Sequence, residues 1–211
     1  MTDNIVTIAD FVHDYLLKTG SKDLETAWGP RYRWEHTQRV GCWAQRLANE
    51  ERADEEKCVI AALFHDVSHF ICEDYRKHGI ESAEIARDYL QKNAYDKDLI
   101  EDVAYAVETH VAEPNPKTLE AKILQDADSL DRFGYFRILL FGKKVEVSNF
   151  ENLRKEVNSS LASLDRLERG EFGPMWTTTG KAKLKELIKL NKTLLRGILE
   201  ELENTKTPMT P

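Results

Sequence analysis

Six histidines occur in the 211-residue chain, and five of them fall between residues 36 and 110. The text around them is WEHTQRV at 34–40, LFHDVSH at 63–69, KHGIESA at 77–83 and ETH at 108–110. An acidic run, LQDADSLDRFG, follows at 124–134. Imidazoles and carboxylates together ligate divalent cations or move protons near neutral pH. Their register on helices narrows that choice. His36 lies four residues before Val40 and seven before Trp43, and His110 lies four after Ala106 and seven after Val103. Asp128 lies four after Leu124 and seven after Ala121, with Asp131 three further on. Each therefore continues an apolar stripe and faces inward. A carboxylate buried without compensation is costly, so inward Asp and His from different helices are best satisfied by one another or by a cation. Singly each has a plainer role: His110 could answer a helix dipole, and Asp128 could cap a helix. Together they are hard to explain that way.

The elements that must carry these residues are helical, and strand alternation is almost absent. The apolar period predicts a helix at residues 3–18, stopped by Gly20. An entry loop at 21–34 holds Gly29 and Pro30. A second helix is expected from Trp34 to Glu51, and a third at 55–69, apolar nearly all round. A fourth is expected at 80–93, opening after Gly79, and a fifth at 96–111. Pro114 and Pro116 mark a break. Residues 118–142 read as helical in two pieces that bend near Asp131–Gly134. The stretches 149–169 and 177–203 are long, charge-rich and amphipathic, separated by Gly170 and Gly173. They predict a helical hairpin packed on the core. The expectation is an all-α single domain over 1–204, with its motif region at 30–142 and a disordered Pro/Thr-rich tail at 205–211.

With 41% hydrophobic and 32% charged residues, the chain can bury a substantial core. A net charge of −7 argues against a general nucleic-acid binder, which needs a basic face, but leaves a small anionic substrate open. Cys42, Cys58 and Cys72 include no CxxC pair and read as reduced thiols, with Cys42 and Cys58 as small buried hydrophobes. The N-terminus does not read as a signal peptide, and no apolar run approaches the roughly 18 residues of a membrane helix. A cytoplasmic protein without a membrane partner is expected.

The order His36, His65-Asp66, Asp128 resembles the HD superfamily of metal-dependent phosphohydrolases. AALFHDVSH resembles that family's buried helix ending in His-Asp, HGIESAEIA its next helix start, and ILQDADSLDRFG the segment that supplies the last aspartate. The likeness spans roughly residues 30–140 and is similar to small stand-alone HD hydrolases of bacteria and archaea. It implies an HD-type helical bundle in which His36, His65, Asp66 and Asp128 hold one divalent ion. Two imidazoles and two carboxylates suit Mn, Fe, Co, Ni, Zn or Mg. Relatives with two metals carry extra histidines between the His-Asp pair and the last aspartate. His78 and His110 occupy those places, and Asp66 would then bridge the ions. Mononucleotide-hydrolysing relatives have a glutamate just after the pair, where this chain has His69.

The resemblance implies a hydrolase that attacks a small phosphorylated substrate, most naturally a nucleotide, with a metal-activated water. Arg33 and Lys77 are candidates to neutralise charge on the phosphoryl oxygens, with Arg31, Arg39 and Arg132 as further cations. His69 could protonate the leaving group, and Asp131 could orient a ligand or act as a base. Two rival readings exist. His65-Asp66-Val67-Ser68-His69 also spells H-D-x-x-H, which resembles a zinc-peptidase helix with Asp in place of Glu. Alternatively the domain binds a nucleotide and signals without turnover. The amphipathic terminal hairpin is a candidate homodimer surface.

Overall fold

The computed structural model describes residues 3–26, 28–111, 113–134 and 150–204. All regular structure among them is helical. Eight α-helices follow in order: α1 (Asp3–Thr19), α2 (Pro30–Glu51), α3 (Glu55–Phe64), α4 (His78–Lys92), α5 (Lys97–Thr109), α6 (Leu119–Arg132), α7 (Phe150–Glu168) and α8 (Thr178–Asn204). Single 3-10 turns lie at Ser21–Asp23 and Tyr75–Lys77. No helix among the described residues is long and apolar enough to cross a membrane.

The chain forms two compact units. The first comprises Met1–Asp131 with Met175–Gly180, and the second comprises Arg132–Pro174 with Lys181–Pro211. The first is built around α3, whose residues Cys58 to Phe64 are all buried and which touches α1, α2, α4 and α5. Asp54 starts it as a true N-cap, its side chain accepting from Lys57 N–H at 3.1 Å. Phe64 is fully buried and sits against Phe11 and Tyr89, with ring centroids 6.2 and 5.7 Å away. Burying a side chain of that size contributes on the order of 1.5–3 kcal/mol. In the second unit α7 and α8 pack through Val157, Leu164, Leu167, Ile188 and Leu195.

Several boundaries differ from expectation, each for a local reason. α2 begins at Pro30, four residues before Trp34. Proline at the first helical position loses no hydrogen bond and starts the helix instead of breaking it. Arg31 and Arg33 are thus helical and not in a loop. α3 ends at Phe64, five residues short of the expected 69. Residues 65–72 continue as turns, with Val67 N–H to Phe64 O at 3.1 Å, His69 N–H to Asp66 O at 3.0 Å and Ile71 N–H to Ser68 O at 2.9 Å. α4 opens at His78, not after Gly79. Cys58 is buried as expected, but Cys42 is exposed, because it stands across α2 from the inward Val40 and Ala44. The second piece expected within 118–142 and the tail at 205–211 lie outside the described residues.

Candidate metal centre

Three histidines owe their orientation to the turn each one ends. His65 caps α3, His78 caps the Tyr75–Lys77 turn and His110 caps α5. Each ring reaches back three residues and donates Nδ1–H to a backbone carbonyl. The acceptors are Ala62 at 2.7 Å, Tyr75, and Val107 at 2.6 Å. Carbonyls at helix ends lack intrahelical donors and accept such bonds readily. A carbonyl only accepts, so Nδ1 must carry the hydrogen, and the neutral ring presents a lone pair at Nε2. His36, on α2, is fixed differently: its Nδ1 donates to Asp131 Oδ2 at 2.7 Å.

Four Nε2 atoms therefore converge, and they converge on Asp66. Oδ2 of Asp66 lies 3.3 Å from His65 Nε2 and 3.6 Å from His36 Nε2. Oδ1 lies 2.9 Å from His78 Nε2 and 3.8 Å from His110 Nε2. Two clusters of ligating atoms result, His36–His65–Asp66 and Asp66–His78–His110, joined by one carboxylate. Within each, two ring nitrogens face each other: His36 and His65 Nε2 at 3.2 Å, His78 and His110 Nε2 at 3.1 Å. Two ring nitrogens so close need a proton or a cation between them. The donor set has the chemistry to hold a divalent cation on either side of Asp66.

The backbone brings these residues together by close approach. Ser68, on the turn after the His-Asp pair, donates Oγ–H to the His78 carbonyl at 2.9 Å, and its N–H donates to Ser82 Oγ at 3.2 Å. Both serines are fully buried. Gly79 lets the start of α4 meet the end of α5: a Cβ there would stand 2.8 Å from the Glu108 carbonyl and 3.1 Å from that of Val107. Sequence reasoning missed both serines. Their signal was small polar residues inside otherwise buried segments.

Charge is strongly organised. Burial would raise the Asp66 carboxyl, but His65 and Arg33 hold it well below the carboxylate range. Burial lowers the His36 imidazole, yet hydrogen bonds to Asp128 and Asp131 outweigh this and hold it at about 9. His78 is lowered by burial and raised more strongly by Asp66, whereas burial dominates at His110 and holds it low. Asp131 is raised by burial and lowered further by His36 and by Arg39, whose Nε donates to Asp131 Oδ1 at 2.7 Å. A bound ion would take the place of these protons.

The remaining expected residues divide. Asp128 reaches the set through His36, Oδ1 to Nε2 at 3.3 Å, and lies outside both three-residue clusters. Arg33 donates Nη1–H to Asp66 Oδ2, and its Nη2 stands 3.1 Å from His69 Nε2. Nε2 of His69 thus accepts, and burial together with Arg33 pushes that imidazole down to about 4. In this arrangement the ring serves Arg33 as a hydrogen-bond acceptor. His69 Nδ1 and Arg33 Nε are buried without a hydrogen-bond partner. Lys77 is exposed one residue before His78. Among the described residues His65 and His69 do not form a zinc-peptidase pair, because α3 stops at Phe64 and His69 belongs to neither ligand cluster.

Sequence reasoning also passed over Asp126. It is fully buried, accepting from the N–H groups of Trp176 and Thr177 at 2.8 Å each and from the Thr177 hydroxyl at 2.7 Å.

Residues 33–132 match the HD domain family. No curated protein matches the chain. Solved structures share the fold. A predicted HD superfamily hydrolase from an uncultured Thermotogales bacterium is 23% identical, with 91% of each chain covered and a TM-score of 0.64. An HD-superfamily hydrolase from Bacillus thuringiensis is 19% identical, covering 95% of this chain and 97% of that one, with a TM-score of 0.63. Bacillus subtilis YpgQ in complex with ADP is 19% identical, covering 97% of each chain, with a TM-score of 0.56.

Proposed function

From the match of residues 33–132 to the HD domain family, we propose that this chain is a metal-dependent hydrolase whose paired centre cleaves a phosphoester or phosphoanhydride bond of a small substrate, most naturally a nucleotide. The observation that carries the proposal is the division of Asp66, with Oδ2 toward His36 and His65 and Oδ1 toward His78 and His110. Divalent ions, when bound there, would supply Lewis acidity and a water acidified toward neutral pH. Four imidazoles favour a transition metal over Mg, which prefers oxygen ligands. Asp128 completes the set on the His36 side.

The other residues bind and orient. Arg33 carries positive charge to the edge of the Asp66 carboxylate. His69 receives a hydrogen bond from Arg33 at Nε2 and so carries its hydrogen on Nδ1. Asp131 fixes the His36 ring and holds its tautomer. A nucleotide is favoured because YpgQ, which shares the fold, was solved with ADP.

Untagged protein purified without chelators should be measured for metal per chain by elemental analysis and assayed on a phosphoester panel that includes nucleoside mono-, di- and triphosphates. Nearly two ions per chain with turnover of a nucleotide is the expected result. Tight nucleotide binding without turnover, after refilling with Mn, Fe, Co or Ni, would assign the chain to non-catalytic nucleotide binding instead.

A further inference from the structure

Gln125 lies on α6 and contributes no ligand atom, yet its amide closes the end of the helix that delivers His110. α5 finishes loosely, since the bond from His110 N–H to the Val107 carbonyl is 3.5 Å long. Gln125 Nε2 donates to the Thr109 carbonyl at 2.8 Å and to the Glu113 carbonyl at 3.2 Å. One amide group thus ties together both sides of the turn that contains His110. The residue immediately before the ligand is held by its carbonyl, and the chain leaving the turn is held three residues later.

The amide is itself held in place. Gln125 Oε1 accepts from the Trp176 indole Nε1 at 2.8 Å, which fixes which end of the amide faces α5. Trp176 is anchored through its backbone to the buried Asp126, beside Thr177. A Cβ on Gly180 would approach Asp126 Oδ2 to 2.4 Å, so glycine is required for this segment to fit against α6. The resulting path of contacts runs from Trp176 through Gln125 and the Thr109 carbonyl to His110.

Resting on the two-ion reading above, we propose that Gln125, set by Trp176, is a positioning residue that holds His110 at the second ion's place. Two variants test it in the full chain. Gln125→Glu keeps an acceptor for the indole but cannot donate to the two carbonyls. Trp176→Phe keeps the ring and removes the indole N–H. Metal-free protein is titrated with Co2+ by calorimetry, with His110→Ala as the reference that identifies the second ion by losing it.

Both variants should bind the first ion like the wild type and the second about 10- to 100-fold more weakly, the range found when partners of a ligand are removed. Their melting temperatures without metal should stay close to wild type. Equal weakening of both ions with a lowered melting temperature marks a merely structural role and overturns the proposal, as does unchanged binding of both. If Gln125→Glu does not fold, Trp176→Phe decides alone. A wild-type chain that binds a single ion, insensitive to His110→Ala, overturns the two-ion reading itself and this inference with it.

Discussion

His78 and His110 point Nε2 at Nε2 across 3.1 Å, while each Nδ1 hydrogen is held by a carbonyl of its own turn. Neither ring can turn its donor toward the other without giving up its bond to a backbone carbonyl. The pair is therefore set for a cation. His78→Ala should reduce metal content from two ions per chain to one, with the His36–His65 half retaining its ion. Elemental analysis of variant and wild type, purified side by side, checks this. Loss of both ions would mean that the two halves do not fill independently.

Asp66 serves both halves and also receives Arg33. Asp66→Asn keeps the shape and removes the charge. Metal content should fall below one ion per chain, and turnover should vanish into background. Circular dichroism should still report a folded helical protein, because the turns that set His65, His78 and His110 use backbone carbonyls and not this carboxylate.

The His36 imidazole gives a pH signature in metal-free protein. Its folded value, about 9, lies above the ordinary 6.5 because Asp128 and Asp131 outweigh burial. A raised value contributes stability that is fully present below about pH 6.5 and is lost as pH rises through about 9, at most on the order of 3 kcal/mol. Melting temperatures of chelator-treated protein should therefore fall across that window. Metal competes with the same proton, so affinity for the first ion should rise over the same range. A flat stability profile in metal-free protein would refute the assignment of that proton to His36.

Gly79→Ala places a Cβ 2.8 Å from the Glu108 carbonyl. α4 and α5 must then separate where His78 and His110 meet. A loss of about 1–3 kcal/mol in stability is expected, as for other overpacked contacts, together with weaker binding of the second ion. Chemical denaturation and metal titration of the same sample report the two effects.

Much of this arrangement was legible in the sequence. The inward stripes placed His36 and Asp131 on buried faces, and the His65-Asp66 pair lay at the end of the most apolar helix. The acidic run was harder to read. Asp128 follows Leu124 by four, a register that points inward, yet Asp126 is the fully buried acid of that helix. Asp126 follows Ile123 by three and precedes Leu130 by four, so it shared the same apolar side. What hid its role was its partner, the backbone of residues 176 and 177, some fifty positions away. Helical period reports which side of a helix is inward and says nothing about which distant segment meets it. Local chemistry explains the other differences. Pro30 sits in the expected entry loop and is a helix start, and residues 65–69 follow a helix but form turns.

Three of the ligand rings are aligned by peptide groups of the very residues that precede them. The relevant unit is four residues long, from acceptor carbonyl to ring. Such a unit carries its own aim, so the helices beneath can shift or drift in sequence while each ring keeps its bearing. The same short segment, grafted onto the last turn of an unrelated helix, is a ready component for building metal centres elsewhere.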